Sequence, residues 1–170
     1  MESDQIRAFL SALGNRYSRP AQLYLLGGSA LCLLGSPRPT VDIDYVGDDL
    51  KKDAFQSTME EIAHEMNLDV EAVPIERFIP IPAGEHKRSL HLGKFGKIEV
   101  YIFDPYSIAL SKIDRGFDTD FDDIVFLIEK GHVDIEELER ITREALSHAR
   151  KFDLNPVEIL DHLQELKDRL

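Results

Sequence analysis

Apolar residues recur at helical spacing from the start of the chain. Ile6, Phe9, Leu10 and Leu13 fall on one stripe, which predicts an amphipathic helix over residues 2–14, closed by Gly14. Arg16, Arg19 and Pro20 read as a linker. The largely apolar run Gln22 to Leu26 predicts a first strand, and Gly27-Gly28-Ser29 turns it into a short apolar helix that stops at Gly35. Pro37 and Pro39 withhold backbone donors and make 36–40 a loop. A second strand then runs to Val46. Successive side chains of a strand point to opposite faces, so Val41, Ile43 and Tyr45 share one face and Asp42 and Asp44 the other.

Beyond the turn at Gly47-Asp48-Asp49, residues 50–66 predict a helix with Leu50, Phe55, Met59 and Ile62 inward. Residues 69–73 follow as a strand. Pro74, Pro80 and Pro82 make 74–84 irregular or edge structure. Two antiparallel strands, 88–92 and 97–103, flank Gly93-Lys94-Phe95-Gly96 as a hairpin, with Lys97, Glu99, Tyr101 and Phe103 on one face. Asp104-Pro105 opens a helix as N-cap and first helical residue. Further helices are expected at 120–130, at 135–150 behind Asp134, and from Asn155-Pro156 onward, the last with Val157, Ile159, Leu160, Leu163 and Leu166 inward. The expectation is one α/β (α+β) domain over 1–170: a small mixed sheet flanked by helices within 1–103, and a C-terminal helical bundle, 104–170, packed on it.

Composition adds limits. With 43% hydrophobic and 31% charged residues the chain is an ordinary globular one. Its apolar runs are far short of a membrane span and no secretory signal opens it, so no membrane partner and a cytoplasmic location are expected. The single cysteine, Cys32, excludes an internal disulfide and a cysteine-based zinc cluster, and its apolar helix suits a buried structural thiol. The six histidines lack metal-ligand spacing. A net charge of −12 leaves no global basic footprint, which disfavours a long nucleic acid and does not affect a metal-bound nucleotide. Lys87, Arg88, Lys94 and Lys97 concentrate charge at the hairpin, either as a solvated edge or as a surface for an acceptor.

Candidate chemistry gathers between residues 23 and 46. Two carboxylates ~7 Å apart on one strand repel unless water or a cation lies between them. Mg²⁺ is often held by one or two carboxylates plus substrate phosphates. The Gly27-Gly28-Ser29 turn would offer backbone N–H groups to those phosphates. Its plainer reading is a tight turn with Ser29 as N-cap. Arg38, just before the acids, reads as a solvated loop charge, a phosphate contact or a partner for Asp42 or Asp44. Turn, short helix and acid pair in this order favour a nucleotide site.

Gly27, Gly28, Ser29, Asp42 and Asp44 resemble the signature of the polymerase-beta-like nucleotidyltransferase superfamily: a Gly-Gly or Gly-Ser turn, a short helix, then two acids one residue apart. Lys112, Arg115, Asp120 and Asp123 are similar, in order, to a segment of the AbiEii/MenT-type stand-alone, toxin-like nucleotidyltransferases. Lys112 and Arg115 share a helix face and suit triphosphate oxygens. Equally they could pair with Asp120 and Asp123 in a salt-bridged corner.

The resemblance implies the nucleotidyltransferase fold and an enzyme using Mg²⁺ or Mn²⁺ and a nucleoside triphosphate. Asp42 and Asp44 would hold metal, with Glu99 as third carboxylate. Gly27, Gly28, Ser29, Arg38, Lys112 and Arg115 would bind the nucleotide. Asp123 would aid catalysis or hold Lys112. The acceptor would be a hydroxyl of a tRNA-like RNA or of a protein, and a toxin role with an antitoxin partner follows from the resemblance alone. Two alternatives stand: an inactive nucleotide- or protein-binding module on this fold, and a nucleotide-sugar transferase, against which the turn before the acids argues.

Overall fold

The computed structural model describes residues 1–170 and divides into two compact units, Met1–Pro74 with Ser89–Phe103, and Ile75–Arg88 with Asp104–Leu170. The proline-rich stretch Ile75–Arg88 belongs to the second unit.

The first unit holds α1 (Ser3–Arg16), β1 (Ala21–Leu26), α2 (Gly27–Leu33), β2 (Ile43–Val46), α3 (Ala54–Glu65), β3 (Val70–Val73), β4 (Leu90–Phe95) and β5 (Ile98–Ile102). Its strands form one mixed sheet in the order β3-β2-β1-β5-β4, with β2–β3 and β1–β5 parallel and β1–β2 and β4–β5 antiparallel. β2, α3 and β3 make a strand–helix–strand crossover, the connection that parallel neighbours require. Alternation decides the two faces. Leu23, Leu25, Ile43, Val100 and Ile102 are buried against the helices, with Ile6, Phe9, Leu10, Leu13 and Met59. Gln22, Tyr24, Asp44, Glu71, Glu99 and Tyr101 stand on the other face, exposed or half-buried.

Local departures from the expected elements have physical causes. α1 does not stop at Gly14. That glycine lets the helix lie on the β4–β5 hairpin, where an added Cβ would sit 2.5 Å from the Phe95 carbonyl carbon. The hairpin's connection is shorter than expected: β4 runs on to Phe95 and the chain turns through Gly96 (φ +62°) and Lys97 alone. α3 begins at Ala54 because Asp53 caps it by accepting from the Gln56 N–H, so Leu50 lies outside the helix and is 78% exposed. Val41 precedes β2 and is 85% exposed, although Ile43 and Tyr45 are buried as alternation requires.

The second unit holds a 3-10 turn (Ile75–Arg77), α4 (Glu85–Arg88), α5 (Pro105–Arg115), α6 (Asp118–Glu129), α7 (Ile135–Leu146), α8 (Ala149–Phe152) and α9 (Pro156–Asp168). Phe121, Ile124, Leu127, Leu138 and Leu166 are buried in its core, whereas Val157, expected inward on α9, is 70% exposed. Asp104 caps α5 from a fully buried position, accepting from the Tyr106 and Ser107 N–H groups, the Ser107 hydroxyl and two guanidinium nitrogens of Arg88. That hydrogen-bonded carboxylate pushes the Arg88 pKa up. Arg88 therefore ends α4 and anchors the second unit, where the hairpin had been its expected place. α5 ends at Gly116 (φ +70°), whose missing side chain makes room for the His162 ring of α9. None of the helices is long and apolar enough to cross a membrane.

Candidate active site

β1 feeds directly into α2 through Gly27 at φ +58°, a backbone conformation that glycine enters without strain. A Cβ at Gly27 would run into Oδ2 of Asp44. At Gly28 it would sit 2.7 Å from Oγ1 of Thr40. Thr40 is buried and donates its hydroxyl to the Asp42 carbonyl at 2.9 Å. The two glycines thus let the strand–helix turn press on the segment that carries the acids. Ser29 is not the N-cap. It lies within α2, fully buried, and its hydroxyl donates back to the Leu26 carbonyl at 2.8 Å.

Asp42 immediately precedes β2 and Asp44 lies within it. β3 runs parallel alongside, with Glu71 in register with Asp44. One carboxylate oxygen from each of Asp42, Asp44 and Glu71 lies within 4.8 Å of the others. Asp42 and Asp44 are half-buried and Glu71 is exposed. Three carboxylates this close form an all-oxygen donor set of the kind hard divalent cations take. Glycine at position 27 keeps side-chain bulk off the Asp44 oxygen.

A family model described as "Nucleotidyltransferase of unknown function (DUF6036)" matches residues 4–160. The chain belongs to this nucleotidyltransferase family. No curated protein and no solved structure matches it. The match spans both units, so the second unit belongs to the nucleotidyltransferase chain as much as the acid-bearing sheet does.

Glu71 is the member that sequence reasoning missed. Glu99, the expected third carboxylate, stands on the same sheet face but in β5, in register with Gln22, whereas Asp44 is in register with Leu26. Two strand spacings and four residues separate Glu99 from Asp44, about 16 Å. The register therefore does not bring Glu99 to the acid pair. Its carboxylate is 2.6 Å from His91 Nε2 and 4.0 Å from Lys94 Nζ. A signal for Glu71 was present. A strand, a helix and a further strand in succession predict parallel neighbours, and Glu71 is the acid within the further strand.

Arg38 is exposed on the 34–42 loop and, with Glu2, Ser3, Cys32 and Pro37, lines a shallow hollow. In the second unit, Lys112 is 7% exposed and donates to Asp123 Oδ2 at 2.8 Å, with Asp120 Oδ1 at 3.5 Å. Arg115 forks onto both oxygens of Asp120, at 2.7 and 3.2 Å. Burial, the largest single influence on Asp120, pushes its pKa up. The Arg115 hydrogen bonds, the Lys112 charge and the Phe117 N–H outweigh it and leave that carboxyl below its ordinary value. Of the two readings of this motif, the salt-bridged corner between α5 and α6 is thus formed.

Proposed function

We propose that the chain transfers a nucleoside monophosphate from a nucleoside triphosphate to a hydroxyl group, with Mg²⁺ or Mn²⁺ held by Asp42, Asp44 and Glu71. The observation that carries this reading is the convergence of those three carboxylates beside Gly27, on a chain of a nucleotidyltransferase family. The donor set fits the cation: three hard oxygen ligands from two adjacent strands, with the exposed member able to meet an incoming acceptor. A bound divalent cation would supply charge neutralisation to the triphosphate and the attacking oxygen.

The chain's own residues do the rest. Asp42 and Asp44 sit on a segment fixed by the Thr40 hydroxyl and by the strand pairing of β2, so they enter the reaction already oriented. Glu71 accepts the acceptor's hydroxyl proton on its carboxylate. The acceptor oxygen bonds to the α-phosphorus, the bond to the bridging oxygen breaks, and pyrophosphate leaves. Lys112, Arg115, Asp120 and Asp123 we assign to holding the α5–α6 corner. The finer kinship with AbiEii/MenT-type enzymes, and with it a toxin role under an antitoxin, rests on the residue order of that corner.

Incubation with α-labelled ATP, GTP, CTP and UTP, Mg²⁺ and either total RNA or total protein tests the reading. Wild type and Glu99→Gln transfer label, while Asp42→Ala/Asp44→Ala and Glu71→Gln do not. The labelled fraction tells an RNA end from a protein hydroxyl. Absence of transfer by wild type, together with no Mg²⁺-dependent nucleotide binding, leaves a non-catalytic module on this fold.

A further inference from the structure

The sheet face that carries the acids carries a second row of side chains. Tyr24 on β1 stands in register with Tyr101 on β5, and Tyr101 with His91 on β4. The Tyr24 and Tyr101 rings stack with centroids 4.9 Å apart and planes 16° apart. Phe103 meets Tyr24 edge-on at 6.1 Å, and the His91 ring is 5.2 Å from Tyr101. Both tyrosines are half-buried and His91 is exposed. Aromatic rings on the solvent side of a sheet cost apolar exposure that Thr, Lys or Gln at the same strand positions would avoid.

We propose that the Tyr24–Tyr101 pair seats the base of the nucleoside triphosphate. The inference rests on the nucleotidyl-transfer reading and names a specificity surface for it. Position is the first argument. Leu26 is in register with Asp44, and Tyr24 is the next residue of β1 on that face. The acid row and the aromatic row are therefore one side-chain step apart, about 7 Å along the sheet. A nucleotide whose α-phosphate lies at the acids reaches this row across its sugar.

Charge is the second argument. The nitrogen-bearing side chains beside the tyrosines face Glu99, His91 Nε2 at 2.6 Å and Lys94 Nζ at 4.0 Å. A polynucleotide laid across this face would bring a phosphate for every base and needs a basic track to carry them. The chain has a net charge of −12. A single nucleotide keeps its phosphates at the metal-binding acids and turns only an uncharged ring toward uncharged phenols. Stacking tolerates any base, because every base has a π-face.

Titration calorimetry with Mg²⁺ and a non-transferable α,β-methylene triphosphate, beside inorganic tripolyphosphate, separates base from phosphate contacts. Tyr101→Leu, which keeps apolar bulk on the strand, weakens the nucleotide about tenfold and leaves tripolyphosphate unchanged, while Tyr101→Phe binds both as wild type does. The chain has no tryptophan, so Tyr101→Trp is a lone reporter. Its fluorescence is quenched by the nucleotide and not by tripolyphosphate. Unchanged nucleotide affinity in Tyr101→Leu, an equal loss of both ligands, or quenching by an oligoribonucleotide but not by the triphosphate each overturns the assignment. Wild type binding neither ligand overturns the nucleotidyl-transfer reading itself, an outcome distinct from a tyrosine variant that binds normally.

Discussion

Two groups of carboxylates in this chain have opposite settings. Asp120 and Asp123 are buried, and Lys112 and Arg115 from the preceding helix neutralise them at hydrogen-bond distance. Asp42, Asp44 and Glu71 crowd their oxygens together on a half-open sheet face. The first group is internally balanced, so its charges fix the angle between two helices. The second brings three carboxylates together within reach of solvent. The difference teaches that acid content alone does not mark a candidate site: the burial of the carboxylates and their spacing from one another do. Buried carboxylates held one by one against Lys and Arg serve architecture, and carboxylates gathered within 4.8 Å of one another on an accessible face are the ones proposed to take a cation.

Three measurements put pressure on that contrast. The largest effect is expected from Lys112→Met. Removing one partner of a buried ionic group leaves the other charge uncompensated, so urea unfolding should show a loss of about 3–5 kcal/mol. A loss below ~1 kcal/mol would place the corner with surface ion pairs and erase the distinction. Next comes metal linkage. Mg²⁺ at about ten times its dissociation constant stabilises wild type by about 1.4 kcal/mol in thermal melts, and Asp44→Asn loses that gain. An equal Mg²⁺ response in Asp44→Asn, or one in Asp120→Asn alone, would move the ion to the other group.

The smallest effect concerns pH. The folded Asp120 carboxyl lies below its ordinary value of 3.8. In that window the unfolded chain binds the extra proton, so stability rises with pH. The contribution of Asp120 is complete above 3.8 and is lost as pH falls through the depressed folded value. Stability plotted against pH should therefore be flatter below pH 4 in Asp120→Asn than in wild type. Parallel curves would show that Asp120 is not held ionised by its neighbours.

Much of the first unit was legible in the chain. β1, the Gly-Gly turn, β2, α3, β3 and β5 lie within a few residues of where periodicity and breakers put them, because each is amphipathic or bounded by Gly, Pro or a capping Asp. The misplacements share a cause. Leu50 and Val41 are apolar and extend a hydrophobic pattern, yet a cap at Asp53 and the late start of β2 left them outside. Gly14 looked like a stop and is instead a close contact with the hairpin, which no local signal encodes. In the second unit, capping residues marked the starts of α5, α7 and α9.

By itself the sequence determined the order of turn, helix and acid pair, the alternation that put Asp44 on the face away from the core, and the ion-pairing potential of residues 112–123. These follow from local geometry, in which side-chain direction is set by the dihedral period of each element. Tertiary structure decided which strand lies beside β2, and therefore that Glu71 joins Asp42 and Asp44 while Glu99 faces His91 and Lys94. It also stacked Tyr24 on Tyr101 across two strands separated by most of the unit's length. Strand order and register are set by how whole faces bury against one another. A residue's neighbours across a sheet are therefore absent from its own stretch of sequence.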